Sequence, residues 1–181
     1  MKYWFTLIIA TIISLPLMAL EVGEKAPNFS LQGTDGKTHS LDDYIGKRAV
    51  VIAWFPRAFT KGCTIECKSL AKNGHKIRAF DAAYFMASTD KHEDNTRFAK
   101  HNAADFPLLS DPTGQTAKAY DVLIPVLKLA RRVTVYIGKD GTILKIDKDI
   151  NPATSAEDIA RNLAELGVEK SGNTQKENVE Q

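Results

Sequence analysis

The chain has 181 residues, of which 44% are hydrophobic and 25% are charged, and its formal net charge at pH 7 is +2. This composition fits one globular domain with a substantial core and is short for two domains. The small net charge argues against a broad basic surface, so we expect no nucleic-acid partner. The two cysteines, Cys63 and Cys67, are too few for a disulfide-rich scaffold or a four-cysteine metal site.

The N-terminal segment is apolar. Residues 3–20 contain no charged side chain and follow Lys2 directly. A short positive region, an apolar run and a small residue at Ala19 are typical of a secretory signal peptide. We therefore expect residues 1–19 to be removed and the domain to be exported, to the periplasm of a bacterium. The alternative is an uncleaved membrane anchor, because a run of about 18 apolar residues is long enough to span a bilayer.

A hairpin and a buried strand follow. The hairpin is predicted over residues 22–40, with Asp35 and Gly36 at its turn. The continuous apolar run at residues 49–55 is typical of a strand that is buried on both faces. Pro56 ends this strand because proline lacks the backbone N–H that a sheet requires.

Apolar periodicity predicts the remaining elements. A helix from Cys63 to about Phe80 is expected to place Ile65, Leu70 and Ile77 on its apolar face. In chain order there follow a buried strand at 82–87, a polar helix at 92–101, a loop at 106–112, a short helix at 115–120, a hairpin formed by 133–137 and 142–146, a final helix capped by Ser155 and ended by Gly167, and a disordered tail at 170–181.

The order of these elements predicts an α/β fold. Strands that alternate with helices indicate a central sheet, parallel in its middle and covered by helices on both faces. The late hairpin adds an antiparallel edge, so the sheet is mixed. This arrangement resembles the thioredoxin-like fold. Nothing in the sequence indicates an internal repeat or a linker, and we expect residues 20–169 to form one domain.

Cys63 occupies a position that favours reactivity. It lies at the start of the predicted helix, beyond the carboxyl end of the strand at 49–55, where ligands bind in open α/β sheets. Unpaired backbone N–H groups and the positive end of the helix dipole stabilise a thiolate there, and thiolate is the nucleophilic form of cysteine. The alternative is that Cys63 is a small, inert core residue.

Cys67 lies one helical turn further along the same face. Cβ atoms at this spacing are about 5–6 Å apart in an intact helix, whereas a disulfide requires about 3.5–4.5 Å. A bond between Cys63 and Cys67 would therefore be strained unless the first turn unwinds. This favours a disulfide that forms and breaks during a reaction over a permanent structural link.

The segment from Pro56 to Thr64, with Thr60 and Cys63 inside it, resembles the P-x-x-x-T-x-x-C-[TS] signature of the peroxiredoxins. Arg132 matches the arginine that this family has at the start of a later strand. The similarity extends over residues 22–168. Its nearest subgroup is the bacterioferritin-comigratory, or Q-type, peroxiredoxins.

The resemblance implies a peroxidase that needs no cofactor or metal. The thiolate of Cys63 would attack a peroxide and become a sulfenic acid. Thr60 would hydrogen-bond the peroxide, Arg132 would favour the thiolate and the charge on the leaving oxygen, and Pro56 would shield the sulfenic acid from water. Cys67 would then resolve the sulfenic acid as a disulfide. The implied partners are a peroxide and a thioredoxin-like or other thiol reductant, and the expected state is a monomer or weak homodimer.

The position of Cys67 departs from the family pattern, because Q-type members commonly have this cysteine five residues after the first and here it is four. If Cys67 does not resolve Cys63, an external thiol completes the cycle.

Two other functions share the same cysteine pair. An exported copper-binding chaperone with a thioredoxin-like fold would use Cys63 and Cys67 as soft ligands for Cu(I). Such chaperones also need a histidine in a late loop, and residues 122–131 contain none. A thiol–disulfide oxidoreductase would have two residues between its cysteines, whereas this chain has three.

Overall fold

A computed structural model describes residues 20–172. The predicted signal peptide at 1–19 and most of the predicted tail at 170–181 therefore lie outside the described residues. Within 20–172, none of the helices combines the length and the apolar character needed to cross a membrane.

The described chain contains nine strands and five α-helices. The strands are β1 (Ser30–Gly33), β2 (Thr38–Ser40), β3 (Ala49–Trp54), β4 (Ala82–Ser88), β5 (Leu108–Ser110), β6 (Leu123–Ile124), β7 (Leu129–Ala130), β8 (Val133–Ile137) and β9 (Ile143–Asp147). The helices are α1 (Lys61–Asn73), α2 (His75–Arg78), α3 (His92–His101), α4 (Gln115–Ala119) and α5 (Ser155–Glu165).

Seven of the strands form one sheet in the order β2-β1-β5-β4-β3-β8-β9. The three central strands β5, β4 and β3 are parallel, and both ends of the sheet are antiparallel. Helices α1, α2, α3 and α5 contribute to the apolar cluster on one face, and α4 contributes to the cluster on the other. The predicted α/β class with a central mixed sheet is therefore confirmed.

Strand β3 shows why the apolar run at 49–55 is buried on both faces. Its side chains alternate between the two clusters, as the two-residue period of a strand requires. Val51 and Ala53 pack in the cluster that includes α1 and α5, and Val50, Ile52 and Trp54 pack in the other. The parallel pairing of β3 with β4 places the ends of both strands at the same edge of the sheet.

The predicted helix from Cys63 to Phe80 is wrong in its extent and in the burial of Ile65, whereas Leu70 and Ile77 are buried as predicted. Gly74 separates α1 from α2, and a Cβ atom there would lie 2.3 Å from the hydroxyl of Tyr84 and 2.6 Å from the carbonyl of Leu70. Ile65, predicted to face the core, is 39% exposed. In α1 the two cysteines lie on the buried face together with Leu70, because residues three and four apart share one side of a helix.

Two further predictions were wrong. The predicted loop at 106–112 contains β5. This strand has three residues and lies between Pro107 and Pro112, so it is too short to show a strand pattern in the sequence. The N-cap of α5 is Thr154, not Ser155. The hydroxyl of Thr154 donates to Oδ2 of Asp158 at 2.6 Å. Ser155 is buried, and its hydroxyl takes part in the site described below.

The packed chain extends past residue 170, where the tail was predicted to begin. The amide of Asp81 donates to the carbonyl of Glu169 at 2.8 Å, and the amide of Ser171 donates to that of Ala79 at 3.0 Å. These are backbone bonds, so the polar side chains of this segment gave no indication of them.

Candidate active site

The candidate site lies where β3 passes into α1. Thr60 is the N-cap residue of α1, with φ −78° and ψ 154°, and its carbonyl accepts a hydrogen bond from the amide of Thr64 at 2.9 Å. Cys63 lies in the first turn of the helix, as the sequence predicted, and is fully buried. Cys63 is therefore one of the first residues of the helix, whose backbone N–H groups have no partner within the helix.

Arg132 contacts Cys63 although 69 residues separate them. It directly precedes β8, beside β3 in the sheet, and its Nη2 donates to Sγ of Cys63 at 3.1 Å. A guanidinium group at this distance favours the thiolate through its charge and its hydrogen bond. The structure thus brings together two of the residues that the sequence identified.

Gly62 allows this approach. A Cβ atom at Gly62 would lie 3.1 Å from Nη2 of Arg132, closer than most Cβ contacts. The first turn of α1 therefore has a glycine where the guanidinium group packs against it. The sequence alone does not identify Gly62, because nothing in its neighbourhood indicates that the side chain of Arg132 packs there.

Glu66 is the residue of the site that the sequence analysis missed. Its side chain is fully buried, pairs with Nη1 of Arg132, and lies with Oε1 3.5 Å from the hydroxyl of Ser155. Burial raises the pKa of Glu66 to about 7, although the charge and hydrogen bond of Arg132 and the hydroxyl of Ser155 act to lower it. Arg132 therefore bridges Cys63 and a buried carboxyl group. A sequence signal existed, since Glu66 is a charged residue three positions after Cys63 on an otherwise apolar helix face.

Cys67 has different surroundings. It is fully buried, belongs to the apolar cluster with Leu70 and Phe98, and has a free thiol, as does Cys63. Burial raises the pKa of Cys67 to about 12, and the charges of Glu66 and Cys63 raise it further. In this conformation Cys67 is a protonated thiol enclosed by the core.

The loop before α1 carries the two remaining predicted residues. The hydroxyl of Thr60 is exposed at the helix start and donates to the carbonyl of Arg57 at 2.9 Å. Its proton is therefore engaged, and its lone pairs remain available to accept a hydrogen bond. Pro56 is half-buried and lies two residues after the end of β3.

Residues 20–172 contain no group of three or more histidine, cysteine, aspartate or glutamate side chains arranged to hold a metal ion. The segment at 122–131, where a copper chaperone would need a histidine, forms the small hairpin of β6 and β7.

Comparison with known proteins gives consistent results. The sequence profile of the AhpC/TSA family matches residues 22–146. Peroxiredoxin Bcp of Bacillus subtilis is 32% identical over 133 residues, which cover 73% of this chain and 82% of that protein. Peroxiredoxin Bcp of Escherichia coli K12 is 36% identical over 103 residues, which cover 57% and 65%. The crystal structure of Peroxidoxin BcpB from Mycobacterium tuberculosis superposes with a TM-score of 0.73 at 25% identity, covering 81% of this chain and 97% of that one.

Proposed function

The chain belongs to the AhpC/TSA family and is a peroxiredoxin with a thioredoxin-like fold, and on that premise we propose that Cys63 is the thiol with which it reduces peroxides. The observation that carries this proposal is the 3.1 Å contact between Nη2 of Arg132 and Sγ of Cys63. It places a positive charge beside the buried sulfur.

The first step is attack by the Cys63 thiolate on the hydroxyl oxygen of a hydroperoxide. The S–O bond forms as the O–O bond breaks, so the sulfur becomes a sulfenic acid, and the other oxygen leaves as hydroxide or alkoxide and takes a proton from water. Arg132 stabilises the negative charge as it moves from the sulfur to the leaving oxygen. Thr60 accepts a hydrogen bond from the peroxide hydroxyl, since its own proton is donated to Arg57. The substrates are hydrogen peroxide and organic hydroperoxides.

The second step is resolution by Cys67. Its thiol attacks the sulfenic acid, which forms a Cys63–Cys67 disulfide and releases water. Because Cys67 is enclosed and protonated in the reduced enzyme, α1 must unwind around it before this step. A thioredoxin-like dithiol then reduces the disulfide and is itself oxidised.

Peroxide consumption by single-cysteine variants tests both steps. Cys63→Ser should consume no peroxide. Cys67→Ser should consume one equivalent at the rate of the wild-type enzyme and hold Cys63 as a sulfenic acid that dimedone traps. Peroxidase activity that survives Cys63→Ser would overturn the proposal. If Cys67→Ser completes cycles with the same dithiol reductant, Cys67 is not the resolving residue.

We also propose that the enzyme acts outside the cytoplasm. The support is the uncharged segment at residues 3–20 that follows Lys2. Fusion of residues 1–22 to an alkaline phosphatase that lacks its own signal should give active phosphatase in bacteria. A fusion that stays inactive in the cytoplasm would contradict export.

A further inference from the structure

The loop that carries Thr60 forms a hydrogen bond with the segment that connects β4 to α3. The amide of Ala58 donates to Oδ2 of Asp90 at 2.8 Å. Asp90 lies just past the end of β4, and β4 is the parallel neighbour of the strand that leads into the loop. A carboxylate that accepts a backbone N–H forms one of the stronger hydrogen bonds in proteins.

Asp90 is itself held in place by a buried network. The hydroxyl of Ser88 donates to the same Oδ2 atom at 3.0 Å and accepts from the amide of Asp90 at 3.1 Å. The side-chain amide of Asn95 donates to the hydroxyl of Ser88 at 3.1 Å and to that of Ser110 at 3.0 Å. Ser88 and Asn95 are fully buried. The oxygen that anchors the loop is thus fixed by residues of β4, α3 and β5.

The loop needs such an anchor because its backbone is strained. Phe59, between Ala58 and Thr60, has a φ of 62°, a left-handed conformation that a residue with a Cβ atom adopts at a cost. Strain of this kind persists where the surrounding structure determines the conformation. The ring of Phe59 packs against Phe98 at 5.3 Å and His101 at 5.9 Å between ring centroids, and the amide of Ala58 is held by Asp90.

We propose that Asp90 is a positioning residue for peroxide reduction. By holding the amide of Ala58 it fixes the turn from Arg57 to Thr60, and so the place of the Thr60 oxygen relative to Cys63. Asp90 acts through the loop and does not itself contact the peroxide. This inference rests on the proposed function, because it assigns to the loop the task of orienting the substrate.

The test compares two reactions of Cys63. Reduction of hydrogen peroxide needs an oriented substrate, whereas alkylation by iodoacetamide needs only an accessible thiolate. Asp90→Ala should lower the second-order rate constant for peroxide about 10- to 100-fold, the loss expected from a displacement of about 1 Å. Its alkylation rate should stay within about twofold of wild type or rise.

The conservative variant Asp90→Asn should restore most of the peroxide rate. The side-chain oxygen of asparagine accepts hydrogen bonds from both Ala58 and Ser88 as Oδ2 of Asp90 does. Thr89→Ala is the matched control, since Thr89 lies in the same connection but its hydroxyl donates to the carbonyl of Lys128 at 2.8 Å. It should react with peroxide at the wild-type rate.

Three results would overturn the inference: a wild-type peroxide rate in Asp90→Ala, an equal loss in Thr89→Ala, or an equal fall of both Cys63 reactions in Asp90→Ala. If Asp90→Ala does not fold, Asp90→Ser replaces it, because a serine hydroxyl is too short to reach Ala58. A wild-type enzyme without any Cys63-dependent peroxide consumption would instead overturn the proposed function.

Discussion

The two turns of α1 that hold the cysteines differ in charge and not in burial. Cys63 and Cys67 are both fully buried and lie one turn apart on one face. Sγ of Cys63 accepts a hydrogen bond from Arg132, whereas Cys67 lies in the apolar cluster and is further disfavoured as a thiolate by the charge of Glu66. The two equally buried thiols therefore differ in the charged group beside them, which is a guanidinium at Cys63 and a carboxyl group near Cys67.

The largest expected effect is a difference in the alkylation rates of the two thiols. Cys67→Ser leaves Cys63 as the single thiol, and Cys63→Ser leaves Cys67. At neutral pH Cys67 should react with iodoacetamide more slowly than Cys63, and about 1,000-fold more slowly than an ordinary thiol, because the rise of its pKa from 9 to about 12 leaves that much less thiolate. Mass spectrometry over time gives both rates. In urea the two rates should converge, and comparable rates in the folded state would refute the contrast.

Removal of the Arg132 guanidinium should leave Cys63, like Cys67, without a positive charge beside its sulfur. Arg132→Gln should lower the rate of Cys63 oxidation by peroxide about 100- to 1,000-fold, the usual loss for one donor that stabilises a developing charge. Arg131→Gln is the matched control, because Arg131 is the exposed neighbouring arginine. Stopped-flow fluorescence of Trp54, the tryptophan at the end of β3, measures both rates. A similar loss in both variants would show that net charge matters and that the contact with Cys63 does not.

Glu66, which lies between the two cysteines in the sequence, should make the free energy of unfolding depend on pH. The pKa of Glu66 is about 7 in the folded enzyme and near 4.5 in the unfolded chain, so between these values folding takes up a proton. The stabilisation from this group is complete below pH 4.5 and is lost as the pH rises through 7. Relative to that of Glu66→Gln, the free energy of unfolding of the wild type should therefore fall by up to about 3 kcal/mol as the pH rises over this range. Urea unfolding at several pH values measures it, and parallel curves for the two proteins would contradict it.

The smallest effect is expected at Gly62. A Cβ atom there would press on the guanidinium of Arg132 at 3.1 Å, so Gly62→Ala should slow peroxide reduction by about threefold to tenfold. The same change should raise the free energy of unfolding by up to about 1 kcal/mol, because alanine favours a helix. Lys68→Ala, on the exposed side of α1, should leave the rate unchanged. A Gly62→Ala enzyme of wild-type rate would show that Arg132 has room to move.

The fold and half of the site follow from local sequence. The apolar run at 49–55 and the position of Cys63 in the first turn of a helix follow from local patterns, and the structure confirms both. The contact with Arg132 is not local, and the sequence led to that residue through family resemblance. Strand β5 escaped prediction because its three residues become a strand only by pairing with β4 and β1.

The partners that Glu66 and Ser155 contact could not be read from the sequence for a related reason. A glutamate on a helix is ordinarily exposed, and a serine before a helix ordinarily caps it. Here the docking of α5 on α1 buries both side chains, and that packing depends on the whole fold.

The position of Ser155 also bears on how the enzyme is made. Glu66 and Ser155 are 89 residues apart, and α5 is the last helix of the described chain. A chain synthesised from its N-terminus presents both cysteines and Arg132 long before α5 exists to cover them. Ser155, at the start of α5, is one of the two polar partners of the Glu66 side chain, and Arg132 is the other. The charged site is therefore a late product of folding, complete only when the last helix of the described chain has docked.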